Sequence, residues 1–442
     1  MAKNSSAPLV ERKYLVTFIL ITSLFALWGF ANDITNPMVA AFQTLMEISA
    51  TKASLIQFAF YGGYATMAVP AALFIKRYSY KSGILLGLAL YAVGAFLFIP
   101  AASMQEFSWF CISLYVLTFG LAFLETTANP FILSLGSKAT STRRLNFAQA
   151  FNPVGSLSGM AVASLIVLPN LISDKRDAAG EIVYHSLDEA SKQSIMLHDL
   201  AVIRDPYVAI GLLVTVIFVV IALTRMPNPT GGKKAQDTPA SESLRRLWSD
   251  KYYVGGVITQ MFYIAAQIMV WTFIIHYADN LGLDKATAQN YNILAMSLSL
   301  TGRFVGTWLM KYVRPAVMLT AFGIGATCCT LGAIFIVGMA GLWSLVFISL
   351  FMSIMFPSIY GIALTGVREA DTSLGSAFLV MAIVGGALMP PLQGAVIDMG
   401  TIWDMPAVNV SYSLPLFCFL VVTVYGFAAV RRQKKTDAPM AV

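Results

Sequence analysis

Two carboxylic acids lie in the middle of long apolar stretches, Asp33 in ALWGFANDITNPMVAAF and Glu125 in LTFGLAFLETTANPFIL. An isolated charge at the centre of a bilayer costs roughly 2.5–3.5 kcal/mol on insertion scales, so such groups usually have a function. A purely structural carboxylate there needs a cationic partner, which for Glu125 leaves Arg143, Arg144 or Arg303 as the alternative. We predict that Asp33 and Glu125 take up and release protons inside a membrane, as in a coupled transporter.

Other polar residues in the apolar stretches are spaced three or four residues apart, which places them on one face of a helix. These groups are Asp33 with Asn36, Glu125 with Asn129, Gln149 with Asn152, and Gln260 with Tyr263 and Gln267. Together, carboxyl and amide groups offer the donors and acceptors that a polyhydroxy ligand needs. A single amide in a membrane helix more often joins two helices than binds a ligand. The predicted sugar-binding polar residues are Glu125, Gln149, Asn152, Asn36, Asn32 and Gln267.

Aromatic residues lie on the same stretches, and an aromatic ring packs well against the C–H face of a sugar. The candidates for this apolar contact are Trp28, Tyr263 and Tyr360. Aromatic residues form 12% of the chain, so core packing or lipid contact is the competing interpretation for each. Prolines such as Pro153 and Pro357 interrupt the stretches and free backbone carbonyls where the chain borders a cavity.

The composition describes a membrane protein that crosses the bilayer many times. Of 442 residues, 57% are hydrophobic and 12% are charged, against about 25% charged in soluble domains. The mean hydropathy is +0.72. The polar stretches are too short for a nucleotide-binding domain, and no metal spacing or nucleophile–base arrangement is present. The sequence therefore predicts neither an enzyme nor a cofactor, and the four cysteines are predicted to be core residues without disulfides.

Twelve stretches are long enough to cross a membrane as helices, since a span needs about 20 mostly apolar residues. They lie near 14–43, 54–76, 82–102, 107–135, 143–170, 206–226, 252–278, 285–311, 315–338, 341–367, 372–398 and 408–430. Lysine and arginine are concentrated in alternate loops and at both termini, which predicts cytoplasmic termini. The fold class is therefore an all-α polytopic membrane protein with twelve transmembrane helices.

The chain also divides into two halves with weak internal symmetry. Residues 227–250 are rich in Pro, Gly, Ser and charge, and they follow the sixth stretch. We predict an N-terminal six-helix half at 1–226, a cytoplasmic linker at 227–250 and a C-terminal six-helix half at 251–442. Aligning Tyr78 with Tyr312 places Asp33 opposite Gln267. Two homologous halves around a central cavity are a transporter architecture.

Several motifs carry a family resemblance over nearly the whole chain. LETTANPF at 124–131 and RRLNFAQAFNPVGS at 143–156 are joined by LWGFAN at 27–32, QFAFYGGY at 57–64 and GRFVGTWL at 302–309. With these motifs the chain resembles the fucose–galactose–glucose permease branch of the major facilitator superfamily. The resemblance implies the major facilitator fold, alternating access, and import of L-fucose or a related hexose or deoxyhexose with a proton.

The resemblance also implies roles for individual residues. Glu125 matches the family's fourth-helix glutamate, and Gln149 and Asn152 match its fifth-helix polar pair. In the first helix this chain has Asn36 where the enterobacterial members carry the aspartate, and its own acid, Asp33, lies three residues earlier. We expect Asp33 to handle the proton and Arg303 to help close the cytoplasmic side.

Three alternatives remain open from the residues. A sodium-coupled hexose transporter would use Asp33 and freed carbonyls to hold the ion, and an uncoupled facilitator would not need the carboxylates. A membrane sugar sensor or enzyme would need an effector domain or a catalytic constellation. The expected partners are a small sugar and the lipid bilayer of the inner membrane, with no nucleic acid, and the expected oligomeric state is a monomer.

Overall fold

The computed structural model describes residues 8–48, 55–175, 182–227, 239–283 and 285–437, and most of this chain is helical. Its long helices, some of them interrupted, are α1 (Leu15–Leu45), α2 (Leu55–Arg77), α3 (Tyr80–Met104), α4 (Phe107–Ser134), α5 (Lys138–Asn170), α6 (Glu189–Leu223), α7 (Lys251–Asn280), α8 (Lys285–Leu309), α9 (Pro315–Phe335), α10 (Met339–Ala363), α11 (Glu369–Ile397) and α12 (Ala407–Gln433). The all-α membrane fold predicted from the sequence is confirmed.

Eleven of these helices in the described chain are long and apolar enough to cross a membrane. The remaining one is α8, which corresponds to the predicted stretch at 285–311. At 25 residues α8 is long enough to span a bilayer. It is less apolar than the others because it carries Asn290, Asn292 and Arg303 along with several hydroxyl residues. Length therefore supports α8 as a span, whereas hydropathy alone does not detect it.

Several long helices are broken into segments. Helix α3 breaks at Leu97, and α10 breaks between Met352 and Met355. The segments of α5 are Lys138–Thr140, Ser141–Gln149, Phe151–Val162, Ala163–Val167 and Leu168–Asn170. The segments of α11 are Glu369–Asp371, Thr372–Met381, Ala382–Val384, Gly385–Leu388 and Pro390–Ile397. The breaks in α5 and α10 lie next to Pro153 and Pro357. Proline has no N–H and cannot bond the carbonyl four residues earlier. The carbonyls of Gln149 and Ser353 thus lose their helical partner.

Shorter elements lie outside the long helices, among them the single turns Arg12–Tyr14 and Val183–Ser186, a helix and a small ribbon. The helix Ala240–Ser249, here called the linker helix, falls within the predicted linker. Its Arg246 binds both carboxylate oxygens of Asp371 at 2.7 and 2.8 Å, which fastens the linker helix to the start of α11. A small antiparallel ribbon, which we did not predict, pairs β1 (Thr401–Ile402) with β2 (Met405–Pro406).

The chain forms two compact units. One contains Met1–Phe18, Asn129–Pro153 and Pro229–Val442, and the other contains Ile19–Ala128 and Val154–Asn228. We call them the first and the second unit. The N-terminal part of α5 thus groups with the second half of the chain. The division into two halves at 226 and 251 stays a prediction.

Within the second unit, helices α1 and α5 approach closely at two glycines of α5. A Cβ atom added to Gly155 would lie 1.8 Å from the carbonyl oxygen of Ala26, and one added to Gly159 would lie 2.6 Å from the carbonyl oxygen of Phe30. The spacing Gly-x-x-x-Gly is a common contact surface between membrane helices because it lets backbones approach. These two glycines set the position of α1, which carries Asp33.

We expect Gly155→Ala to destabilise the protein strongly, because the new methyl group would meet backbone and α1 would have to move. Overpacking of this kind costs at least about 1–3 kcal/mol. The measurement is the thermal unfolding midpoint of purified protein in detergent. Gly62→Ala is the matched control, since its Cβ atom would lie at an ordinary 3.6 Å from Tyr115. Equal midpoints for the two variants would contradict the close approach of α1 and α5.

A second contact in the same unit fixes the segment Val183–Ser186 and the start of α6 to the end of α1. Glu47 accepts a hydrogen bond from Lys192 at 2.8 Å and contacts His185 at 3.1 Å. Nearby, the Tyr184 hydroxyl donates to the carbonyl of Leu45 at 3.0 Å. The hydrogen bond from Lys192, followed by that from His185, lowers the pKa of Glu47 from its ordinary value of 4.5.

This contact makes stability depend on pH with a defined sign. Because the pKa of Glu47 is lowered by folding, its stabilising effect is present above pH 4.5 and is lost as the pH falls through the lowered value. The Glu47 side chain is 45% exposed, so solvent screening limits the effect to at most about 1 kcal/mol. We expect Glu47→Gln to unfold at a lower temperature than wild type at pH 7, with the difference shrinking as the pH falls below 4.5. The exposed Glu106→Gln is the control, and a pH-independent difference for Glu47→Gln would contradict the assignment.

Candidate functional site

Both predicted proton-handling acids are buried in the second unit. Asp33 on α1 and Glu125 on α4 are each 6% exposed. A hydrogen bond joins Glu125 to Tyr64 on α2, with the phenol donating to the carboxylate. Tyr61, three residues before Tyr64, lies close enough to Asp33 for an electrostatic interaction. Helix α2 thus presents one tyrosine to each acid.

The three arginines named as alternative partners of Glu125 have other acceptors within their own unit. Arg143, Arg144 and Arg303 all donate to backbone carbonyl oxygens instead. Within the described residues of the second unit, Glu125 forms no ion pair. A buried carboxylate with a phenol partner and no cationic partner in its own unit can exchange a proton.

We did not predict the roles of Tyr64 and Tyr61. Their signal is present in FYGGY at 60–64, where two tyrosines three residues apart share a helix face beside Gly62 and Gly63. Gly63 allows α2 to approach α4 closely, since a Cβ atom there would lie 2.7 Å from Thr118. The sequence alone does not distinguish these two tyrosines, because the chain is rich in aromatic residues.

The other candidates on α1 have different surroundings. Asn32 is half-buried next to Asp33. Trp28 is 5% exposed and packs against the ring of Phe25, with ring centroids 4.2 Å apart. Asn36 lies within α1, but its side chain is outside the described residues. Trp28 therefore belongs to the packed interior of the second unit in this structure.

The fifth-helix polar pair lies in the first unit. The Gln149 amide donates to Asn129 Oδ1 at 2.8 Å, and both residues are buried. Asn129 Nδ2 is also buried and has no acceptor among the described residues. Asn152 is half-buried. A buried amide donor without an acceptor indicates a place where a water molecule or a hydroxyl ligand binds.

Arg303 of α8 occupies the centre of this region and is 4% exposed. Its Nε donates to the carbonyl of Ser353 at 2.6 Å, and its Nη1 donates to the carbonyl of Gln149 at 2.8 Å. These are the two carbonyls that Pro357 and Pro153 deprive of a helical partner. One guanidinium thus binds the proline breaks of α5 and α10 together.

The remaining predicted residues lie on α7 and α10 of the same unit. Gln267 is half-buried. Tyr263 is fully buried and donates to the carbonyl of Met352 at 3.0 Å, and Tyr360 is fully buried with its hydroxyl bonded to that of Ser376. Both tyrosines join helices in this structure. Gln260, one turn before Tyr263, is buried and neither of its amide atoms has a partner within the described chain.

The described chain holds no group of three His, Cys, Asp or Glu residues that could bind a metal ion. Its chemistry consists of two buried acids with tyrosine neighbours in the second unit, and buried amides around an arginine in the first. Such an arrangement offers donors and acceptors for hydroxyl groups and two acids that can exchange a proton. It contains no activated nucleophile.

Comparison with known proteins agrees with this description. The sequence model of the Major Facilitator Superfamily matches residues 16–390. The chain is 59% identical to an L-fucose-proton symporter of Haemophilus influenzae over 96% of this chain and 99% of the relative. It is 34% identical to the L-fucose-proton symporter of Escherichia coli over 97% and 95% of the two chains.

A solved structure gives the same result. The transporter FucP in its outward conformation superposes with a TM-score of 0.84 at 33% identity, over 95% of this chain and 99% of that one. The chain belongs to the major facilitator superfamily, a family of transporters and not of enzymes. The family and fold predicted from the sequence motifs are confirmed.

Proposed function

We propose that this chain imports L-fucose, or a closely related hexose or deoxyhexose, together with a proton by alternating access. The observation that carries the proposal is the buried Glu125, which has a phenol partner and no cationic partner among the described residues of its own unit. The similarity to L-fucose-proton symporters over nearly the full chain supports the same substrate. We place the protein in the inner membrane as a monomer with both termini in the cytoplasm.

In this proposal Glu125 binds sugar hydroxyls and senses protonation, while Asp33 is the principal proton carrier. Gln149, Asn152, Asn36, Asn32 and Gln267 donate to and accept from the sugar, and Trp28, Tyr263 and Tyr360 line its apolar side once the helices rearrange. The last three rings are buried in the present arrangement, so their exposure requires movement. Sugar and proton would favour the same transition because both bind one state better than the other.

The first test is a pH-electrode trace on de-energised cells that express the chain. Adding L-fucose should make the weakly buffered medium more alkaline, because each sugar carries a proton inward. D-galactose and D-glucose are added in parallel to rank the sugars, and Glu125→Gln should lose the response to all three. An ionophore that collapses the proton gradient is the control for leak.

Three results would overturn the proposal. Entry of labelled L-fucose that needs sodium and gives no alkalinisation would establish sodium coupling. Entry without dependence on either ion, and without accumulation in energised cells, would establish an uncoupled facilitator. A sugar that binds but does not cross the bilayer would favour a sensor.

A further inference from the structure

An apolar groove opens on the surface of the second unit between α1, α5 and α6. Its volume is about 670 Å³, which lies in the range of small-molecule sites. The apolar lining includes Leu27 and Phe30 of α1, Val162 and Ile166 of α5, and Ile210 and Leu213 of α6. We call it the α1–α5–α6 groove. None of these residues belongs to the sugar and proton site.

The helices beside the groove expose apolar side chains, as expected where a protein meets hydrocarbon. Leu165 on α5 is 76% exposed, and Leu212 and Val216 on α6 are 57% and 59% exposed. No charged residue occurs in α6 from Pro206 to its end at Leu223. The groove therefore opens toward the lipid tails of the bilayer.

One end of the groove is polar, and its polar groups are mainly acceptors. Asp205, Asn170 and Val202 all line it. Pro206 has no N–H, so the Val202 carbonyl lacks its usual helical donor. Asn170 uses its amide nitrogen to donate to the carbonyl of Ile166 at 2.6 Å, which leaves its carbonyl oxygen as an acceptor.

The charges at this end have a specific arrangement. Arg204 donates twice to Asp205, and both bonds reach Oδ1, at 2.9 and 2.6 Å. Within the described chain, Asp205 Oδ2 accepts no hydrogen bond. A cation and an anion thus stand side by side at the level where the apolar part of α6 begins, as the phosphate and ammonium of an ethanolamine headgroup do.

We propose that the α1–α5–α6 groove binds one acyl chain of a phospholipid whose headgroup carries a primary ammonium. The ammonium has three N–H donors, and the carboxylate of Asp205, the side-chain carbonyl of Asn170 and the Val202 carbonyl offer three acceptors. Arg204 does not line the groove, but it is bound to Asp205 through Nε and Nη2 and keeps further N–H donors for the phosphate. The lipid tail would then cover Leu27 and Phe30, one to two turns before Asp33 on α1.

The test uses the full-length protein purified in a mild detergent. It is incubated with equal amounts of phosphatidylethanolamine, phosphatidylcholine and phosphatidylglycerol of identical chains, and bound lipids are counted by native mass spectrometry. We expect phosphatidylethanolamine to bind about tenfold more tightly than phosphatidylcholine, whose quaternary ammonium cannot donate. Equal binding of the two, or a preference for phosphatidylglycerol, would overturn the headgroup assignment.

Two variants locate the site. Asp205→Asn should bring the two zwitterionic lipids to within about twofold of each other, whereas the exposed Asp404→Asn should keep the wild-type preference. Ala209→Trp, at a lining residue, should abolish the bound lipid, whereas Ala161→Trp, an exposed alanine of α5 outside the lining, should retain it. Unfolding midpoints identify any variant that fails to fold. A folded Ala209→Trp protein that keeps the lipid would overturn the proposal.

Discussion

Asp33→Asn is expected to abolish L-fucose-dependent alkalinisation, with the initial rate at least about tenfold below wild type. Asparagine has nearly the same shape as aspartate and still forms hydrogen bonds, but it cannot carry a proton. Exchange of labelled for unlabelled sugar across the membrane does not require net proton movement, so we expect it to continue. The measurement combines the pH-electrode trace with a counterflow assay on the same cells.

A double variant in α1 tests the role of Asp33 more specifically. The resemblance places the family's acid at the position of Asn36, one turn from Asp33. The double variant Asp33→Asn with Asn36→Asp should therefore restore part of the alkalinisation that the single variant loses. Asp279→Asn, at the exposed end of α7, is the control for loss of an ordinary aspartate. Wild-type alkalinisation in Asp33→Asn would contradict its role as proton carrier.

Arg303→Met is expected to open the contact between α5, α8 and α10. The variant leaves the carbonyls of Gln149 and Ser353 buried without donors, and hydrogen bonds to a charged group contribute about 1.5–3 kcal/mol each. A shift of that size changes the population of a closed state roughly tenfold to hundredfold. We propose that this contact closes the cytoplasmic side, so we expect net L-fucose uptake to fall at least about tenfold in the variant.

Labelling of a cysteine measures the opening directly. Asn146 is fully buried and donates to Ser358, so Asn146→Cys in a background without the four native cysteines reports on the same contact. Its labelling rate should rise in Arg303→Met and change little in Arg143→Met. Arg143 is the matched control because it joins only α5 and α8, through one longer bond of 3.2 Å to the carbonyl of Thr307.

A proline variant tests whether the labelling change comes from the broken contact and not from the loss of the Arg303 charge. Pro153→Ala supplies the missing N–H and gives the Gln149 carbonyl a helical donor, which competes with Arg303. It should raise the labelling of Asn146→Cys while Arg303 itself is unchanged. Pro70→Ala, at an exposed proline of α2, should leave the labelling unchanged. Unchanged labelling in both Arg303→Met and Pro153→Ala would contradict the gate.

The sequence determined the fold and the location of the acids. In a bilayer a long apolar stretch must satisfy its own backbone hydrogen bonds, so each such stretch forms a helix regardless of its neighbours. The same argument made Asp33 and Glu125 recognisable, because a charge in an apolar helix is expensive wherever the helix packs. Pro153 and Pro357 likewise identified the freed carbonyls, since the missing N–H is a local property.

Only the tertiary structure decided which groups meet. The sequence does not indicate that Tyr64 bonds to Glu125, that Arg303 bonds to both freed carbonyls, or that the Tyr263 and Tyr360 hydroxyls join helices. These contacts depend on how the helices rotate and cross. Small residues such as Gly155 and Gly63 set that packing, and they can lie far in sequence from the groups that meet. A single membrane helix has nearly the same free energy at every rotation about its own axis, so its sequence does not select one. The set of side chains that meet in the site depends entirely on that rotation.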